Sequence, residues 1–233
     1  MNILAFDTCF SACSVAVGRD IGSHHERLEQ YFEPRDTGHA EALMPMIDKA
    51  MSDAGLGFKD LDRIAVTTGP GTFTGMRIGV SAARALKLAT GVPLVGASSL
   101  AVMAEDATDD LGDRLAGRTL VVAVDARRGQ VYAQAFGASG PDFEAGPMLA
   151  TYADAARLGS GPLVVAGSGG ELVAEAARAA GREAEAVLPR LQPDACALVY
   201  MAKRLPLAVE PLKPLYLRPA DAKPQAAAAV ARR

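Results

Sequence analysis

A chain of 233 residues, half of them apolar and 22% charged, has the make-up of a globular protein that can bury a sizeable core. Its net charge of −3 argues against a domain that grips nucleic acid alone, which needs a basic surplus. No apolar run approaches the roughly 18–20 residues needed to span a bilayer, and Cys9, Cys13 and Cys196 are too few for a disulfide framework. The N-terminus lacks a basic leader, so the expected location is the cytoplasm, without membrane contact.

Residues 2–7 and 13–19 are expected to form two strands joined by a tight turn at Cys9-Phe10-Ser11-Ala12, and residues 22–33 a third. A helix is expected over 37–54, because Ala40, Leu43, Met44, Ile47, Met51 and Ala54 recur on one side while Glu41, Asp48 and Lys49 lie elsewhere. Thr37 is a candidate cap and Gly55 a candidate end. The apolar run 63–67 reads as a buried strand. Gly69-Pro70-Gly71 then makes a turn, and Thr72 is suited to cap a helix over 73–89 that Gly91 closes.

On that second helix Gly75, Gly79, Ala82, Ala83 and Leu86 share one side. Interior glycine costs about 1 kcal/mol against alanine, so two of them imply a close approach. The approaching group is the chain's own sheet, another helix of this chain or another, or a phosphate at the helix start. Arg77, Arg84 and Lys87 border the patch. If another chain docks there, Gly79→Arg is expected to abolish pairing and leave the fold intact.

Residues 94–97 form the next expected strand, 98–108 a helix, and 120–125 and 130–136 two more strands. Leu4-Ala5-Phe6-Asp7 and Val122-Ala123-Val124-Asp125 match in character, and each leads through a turn into a second strand. They stand about half a chain apart, which is an internal-repeat signal. Helix 151–158, strand 162–166, helix 170–180 and helix 194–204 follow. The reading divides the chain into a lobe over 1–100, a smaller lobe over 101–218 whose last helix is able to pack back on the first, and a flexible tail over 219–233.

Catalytic patterns are weak. His24 and His25 are adjacent, so on a strand they point to opposite faces, and His39 stands apart on a helix; no metal site is expected. His39 is expected to make a local hydrogen bond. No histidine is placed to activate a cysteine, and neither a Walker loop nor a Gly-x-Ser-x-Gly elbow occurs.

The segment Gly69-Pro70-Gly71-Thr72-Phe73-Thr74-Gly75-Met76-Arg77-Ile78-Gly79 closely resembles the signature of the bacterial TsaB (YeaZ) family. So do Ile3 to Cys9, Cys13 to Val17, and His39-Ala40-Glu41-Ala42-Leu43-Met44-Pro45; Asp125 to Tyr132 and Tyr216-Leu217-Arg218 add weaker support. The likeness is dense over residues 1–135 and thin beyond. Cys9 stands where the family usually has Ser or Ala, and Thr72 where it often has Ser.

The resemblance implies an α/β, actin-like (sugar kinase/Hsp70-type) duplicated fold of two lobes. It implies a non-catalytic subunit that pairs with the catalytic TsaD and, with the ATPase TsaE, supports threonylcarbamoyl transfer to N6 of adenosine-37 in tRNAs reading ANN codons. It also implies self-pairing when TsaD is absent, only indirect contact with tRNA, and ATP, ADP and metal held by the partner subunits. The implied interface comprises His39, Glu41, Leu43, Met44, Ile47, Met51, Phe73, Gly75, Met76, Arg77, Gly79, Val80, Ala82, Ala83 and Leu86. Asp7 and Asp125 fall where actin-like enzymes place a magnesium-holding aspartate, but the turn after Asp7 has no glycine to admit a phosphate, so both are also read as capping strand ends. Catalytic relatives carry His-x-x-x-His, which this chain lacks. An ATP-binding actin-like enzyme and a metallopeptidase of the related superfamily are the rival readings.

Overall fold

The structure, a computed structural model, describes residues 1–137 and 146–218. The first sheet is built from β1 (Ile3–Asp7), β2 (Ala12–Arg19) and β3 (Arg27–Pro34), then, after α1 (His39–Asp53), β4 (Arg63–Gly69). α2 (Phe73–Thr90), β5 (Leu94–Ser98) and α3 (Ser99–Leu111) complete the first half. The second half runs β6 (Thr119–Asp125), β7 (Gln130–Phe136), β8 (Met148–Thr151), α4 (Tyr152–Ala155), β9 (Leu163–Ala166), α5 (Gly170–Ala179), β10 (Ala184–Val187) and α6 (Ala195–Arg204).

The two sheets have the same topology. In the first the order is β3-β2-β1-β4-β5, in the second, read from its other edge, β8-β7-β6-β9-β10. Each has an antiparallel meander of three strands followed by two parallel strands. This is the duplicated, actin-like α/β architecture implied by the sequence, with Asp7 and Asp125 ending the two central strands.

Side-chain alternation along the central strands builds layers. Leu4 and Phe6 face a core shared with Leu43, Ile47 and Met51 of α1 and Ala83 of α2, while Ile3 and Ala5 face a core shared with α3 and α6. In the second sheet Leu120 and Val122 join that same inner core, and Val121 and Ala123 pack on α5. Burial on both faces explains why β1 and β6 are nearly continuous apolar runs. α6 belongs to the second repeat yet packs on β1 and β2. It is tied there by Gln30 donating to Asp194 at 2.6 Å, by Ser14 Oγ accepting from Ala195 N–H at 2.9 Å, and by Arg63 donating to the Ala202 and Leu205 carbonyls at the helix end.

Several local expectations shift. The third strand starts at Arg27, past the polar Ser23-His24-His25 stretch. Gly38 in the left-handed region, not Thr37, precedes α1. The helix expected over 151–158 shrinks to Tyr152–Ala155, and its first residue, Thr151, instead ends an edge strand, Met148–Thr151, paired with β7. β10, not among the expected strands, pairs with β9. Thr72 caps α2 by accepting from Gly75 N–H at 3.1 Å, and Gly91 closes it at φ 78°. The tail expected over 219–233 lies outside the described residues.

Candidate partner-binding surface

α1 and α2 lie side by side on the outer face of the first sheet, and the fifteen residues expected to meet a partner divide sharply by exposure. His39, Leu43, Ile47, Met51, Gly75, Met76, Gly79, Val80 and Ala83 are buried within the chain itself. Ala82 and Leu86 are half-buried against the core, and Glu41, Met44, Phe73 and Arg77 are exposed.

Of the alternatives open for the glycine stripe, the structure shows the chain itself lying against Gly75 and Gly79. A Cβ on Gly75 would lie 2.0 Å from the Thr8 carbonyl oxygen, and one on Gly79 would lie 2.8 Å from Thr8 Oγ1 and 3.3 Å from Val66 Cγ2. Thr8 Oγ1 also donates to the Gly75 carbonyl at 2.7 Å. The smooth side of α2 admits the chain's own Thr8 and Val66: Gly75 meets the Thr8 backbone and Gly79 meets the Thr8 and Val66 side chains, with no room for a methyl group at Gly75. Gly79→Arg is therefore a folding probe and not a clean surface probe.

What α2 leaves uncovered is a different face. Phe73, Arg77, Ser81, Arg84 and Leu88 follow at spacings of three and four and are exposed, Leu88 to 90%. α2 carries three cations and no carboxylate. Beyond its end, Arg84, Lys87, Leu88, Leu94 and Val209 to Pro211 border a hollow of about 390 Å³. The exposed face of α1 carries Glu41, Met44 and Asp48, and Lys49 is paired with Asp53 at 2.9 Å. Tyr216, outside the set of expected interface residues, joins the α2 face: its ring centroid is 5.3 Å from that of Phe73, and its hydroxyl accepts from Arg77 Nε at 2.8 Å. Only the weak Tyr216-Leu217-Arg218 likeness signalled it.

The two strand-end aspartates behave as local anchors. Asp7 is fully buried; it accepts from Cys9 N–H at 3.1 Å and from the Thr67 hydroxyl. Burial pushes its carboxyl up to about 6 despite those bonds. Asp125 is exposed, accepts from Arg127 N–H at 2.8 Å, and its own N–H donates to Ser168 Oγ at 3.0 Å. Both make the same turn onto the residue two further on. Phe10, from the turn after Asp7, is buried and packs its ring 6.5 Å from that of Tyr132 on β7.

His39 is buried, and its Nε2–H donates to the Phe10 carbonyl at 3.0 Å, a partner 29 residues away where a local one was expected. No group of three or more His, Cys, Asp or Glu suited to a metal occurs among the described residues. Cys9 and Cys13 are buried, and burial raises their thiols, Cys13 to about 12 and Cys9 well above the ordinary value. Thiols so protonated are poor nucleophiles. No helix among the described residues is long and apolar enough to cross a membrane.

A family model described as "TsaD: tRNA N6-adenosine threonylcarbamoyltransferase" matches residues 33–192. The chain is 33% identical to the tRNA threonylcarbamoyladenosine biosynthesis protein TsaB of Escherichia coli, over 94% of this chain and 95% of that one. It is 35% identical to the protein of the same name from Haemophilus influenzae over 57% of this chain and 52% of that one. Among solved structures, an uncharacterized Pseudomonas aeruginosa protein described as similar to peptidase YeaZ aligns with TM-score 0.75 at 27% identity, covering 93% of this chain and 99% of that chain. YeaZ from Pseudomonas aeruginosa aligns with TM-score 0.70 at 26% identity, covering 88% and 92%. Motifs, duplicated topology and full-length identity agree, and the chain belongs to the TsaB (YeaZ) family.

Proposed function

We propose that this chain is a non-catalytic subunit of the machinery that makes threonylcarbamoyladenosine in tRNA. In this reading it pairs with a TsaD-like catalytic subunit, works alongside a TsaE-like ATPase, and meets tRNA only through its partners. Threonylcarbamoyl transfer to N6 of adenosine-37 takes place on the catalytic subunit, which holds the nucleotide and the metal. The name of the relative matched over nearly its whole length supports the role in biosynthesis.

The observation that carries the pairing is the uncovered face of α1 and α2. Met44 is 40% exposed and Phe73 49% exposed on adjacent helices whose inner sides are packed shut. Exposed methionine, aromatic and arginine side chains on a rigid platform are the residue types that concentrate at protein interfaces. Glu41 and Asp48 on α1, against Arg77 and Arg84 on α2, also make the face self-complementary in charge. That supports pairing with a second copy when the catalytic partner is absent.

The test is reconstitution of the tRNA modification with and without this chain, together with co-elution of Met44→Glu with the TsaD-like subunit. Modification is expected to depend on the chain, and Met44→Glu to lose co-elution while its melting temperature stays within about 3 °C of the parent, as expected of a surface change. Full modification without the chain, or undisturbed co-elution of the variant, would sink the proposal.

A further inference from the structure

After α6 the chain leaves the second repeat and runs back along the edge of the first sheet. Ala208 N–H donates to the Leu94 carbonyl at 2.8 Å, and Leu215 N–H to the Thr68 carbonyl at 2.7 Å. Leu212 lies against the bare backbone of Gly96, where a Cβ would stand 2.7 Å from its Cδ2. This course delivers Tyr216 to the start of α2. The Arg77 guanidinium carbon lies 3.7 Å from the centroid of the Phe73 ring and 5.9 Å from that of Tyr216, and Arg77 Nε donates to the Tyr216 hydroxyl.

The guanidinium is thus held on one edge and one face, while Nη1 and Nη2 have no partner among the described residues and no carboxylate pairs with Arg77. A guanidinium edge with two parallel N–H groups fits a carboxylate in bidentate fashion. Fixing it beforehand removes much of the ordering cost of binding. A lone surface arginine has neither property.

We propose that Phe73, Arg77 and Tyr216 form a preset receptor for a carboxylate of the partner subunit, with Tyr216 as a positioning residue supplied by the return segment. The inference rests on the pairing proposed above and adds its chemistry. A protein carboxylate is favoured over a nucleic-acid phosphate for two reasons. The next cation along α2, Arg84, is seven residues on, about 10 Å away, so no phosphate-tracking stripe forms. The chain is also net acidic, whereas arginine set among aromatic rings is the make-up of a protein–protein hot spot.

The experiment is a double-mutant cycle on the affinity of the full chain for the TsaD-like subunit, with Arg77→Ala, Tyr216→Phe and the pair, at low and high salt. Arg77→Ala is expected to weaken binding about 10- to 100-fold, the range for a hydrogen bond to a charged group, and to flatten the salt dependence. Tyr216→Phe keeps the ring and loses the hydroxyl; about a threefold to tenfold loss is expected, vanishing in the Arg77→Ala background. Neither change should move the melting temperature appreciably, which separates positioning from a merely structural role. Wild-type affinity of Tyr216→Phe, or an unchanged effect in the Arg77→Ala background, overturns the inference and leaves the pairing standing. Failure of the parent chain to bind the TsaD-like subunit overturns both. Arg77→Ala that pairs normally but weakens tRNA retention by the assembled complex assigns the site to phosphate and overturns the carboxylate.

Discussion

Replacing Gly75 by alanine tests the account of α2 most directly. In an unobstructed helix interior the change stabilises by about 1 kcal/mol. Here the new methyl carbon would stand 2.0 Å from the Thr8 carbonyl oxygen and 2.6 Å from Thr72 Oγ1. Ordinary carbon–oxygen contacts are about 3.3 Å or longer, so α2 must retreat from the β1–β2 turn by more than an ångström. Retreat stretches the buried hydrogen bond from Thr8 Oγ1 to the Gly75 carbonyl, at a cost of about 1–3 kcal/mol. Overpacking adds a further cost of about 1–3 kcal/mol. Set against the helix gain, the net loss is about 1–5 kcal/mol, or a fall of roughly 2–20 °C in melting temperature for a chain of this size. Thermal unfolding followed by circular dichroism measures it, with Ser81→Ala on the exposed side of the same helix as a control expected near the parent value. A Gly75→Ala protein as stable as its parent would refute the reasoning. If pairing were lost without a change in stability, the glycine side would belong to a docking face after all.

Asp106 on α3 has a buried Oδ2 without a hydrogen-bond partner, and burial, then the facing Asp194 at the start of α6, then Asp110 and Asp109 on its own helix, push its carboxyl up to about 8. With the folded value raised above the unfolded one, stability is full below about pH 4 and drains away as pH rises through about 8. Asp106→Asn mimics the protonated acid, so urea unfolding should show the variant gaining on the parent from pH 5 to pH 9; parallel pH profiles would contradict this. His39→Ala should cost about 1–3 kcal/mol in thermal or urea unfolding by orphaning the Phe10 carbonyl, and should leave the metal content measured by elemental analysis unchanged. A variant with parental stability and less bound metal would reverse the assignment of His39 as a structural residue.

Local chemistry made much of the first half readable. Thr72 and Gly91 bracket α2 because capping depends on neighbours two to four residues away. The apolar runs of β1, β4 and β6 announce themselves because both faces of each sheet are covered. β8 and β10 did not show in the pattern, since four-residue strands at a sheet edge take their identity from the strand beside them, whereas the equally short β9, covered on both sides, is an unbroken apolar run.

The amino-acid order by itself determined the strands of the two sheet centres, the repeat marked by Asp7 and Asp125, the family, and the fact that something must approach α2 closely. Tertiary structure alone decided what approaches. Thr8 and Val66 take the glycine side, His39 turns to Phe10, and Tyr216 comes 139 residues along the chain to hold Arg77. Periodicity reports that a face is smooth or apolar, but a face has no address. Only packing, which joins residues distant in sequence, shows whether the chain itself or an open surface occupies it.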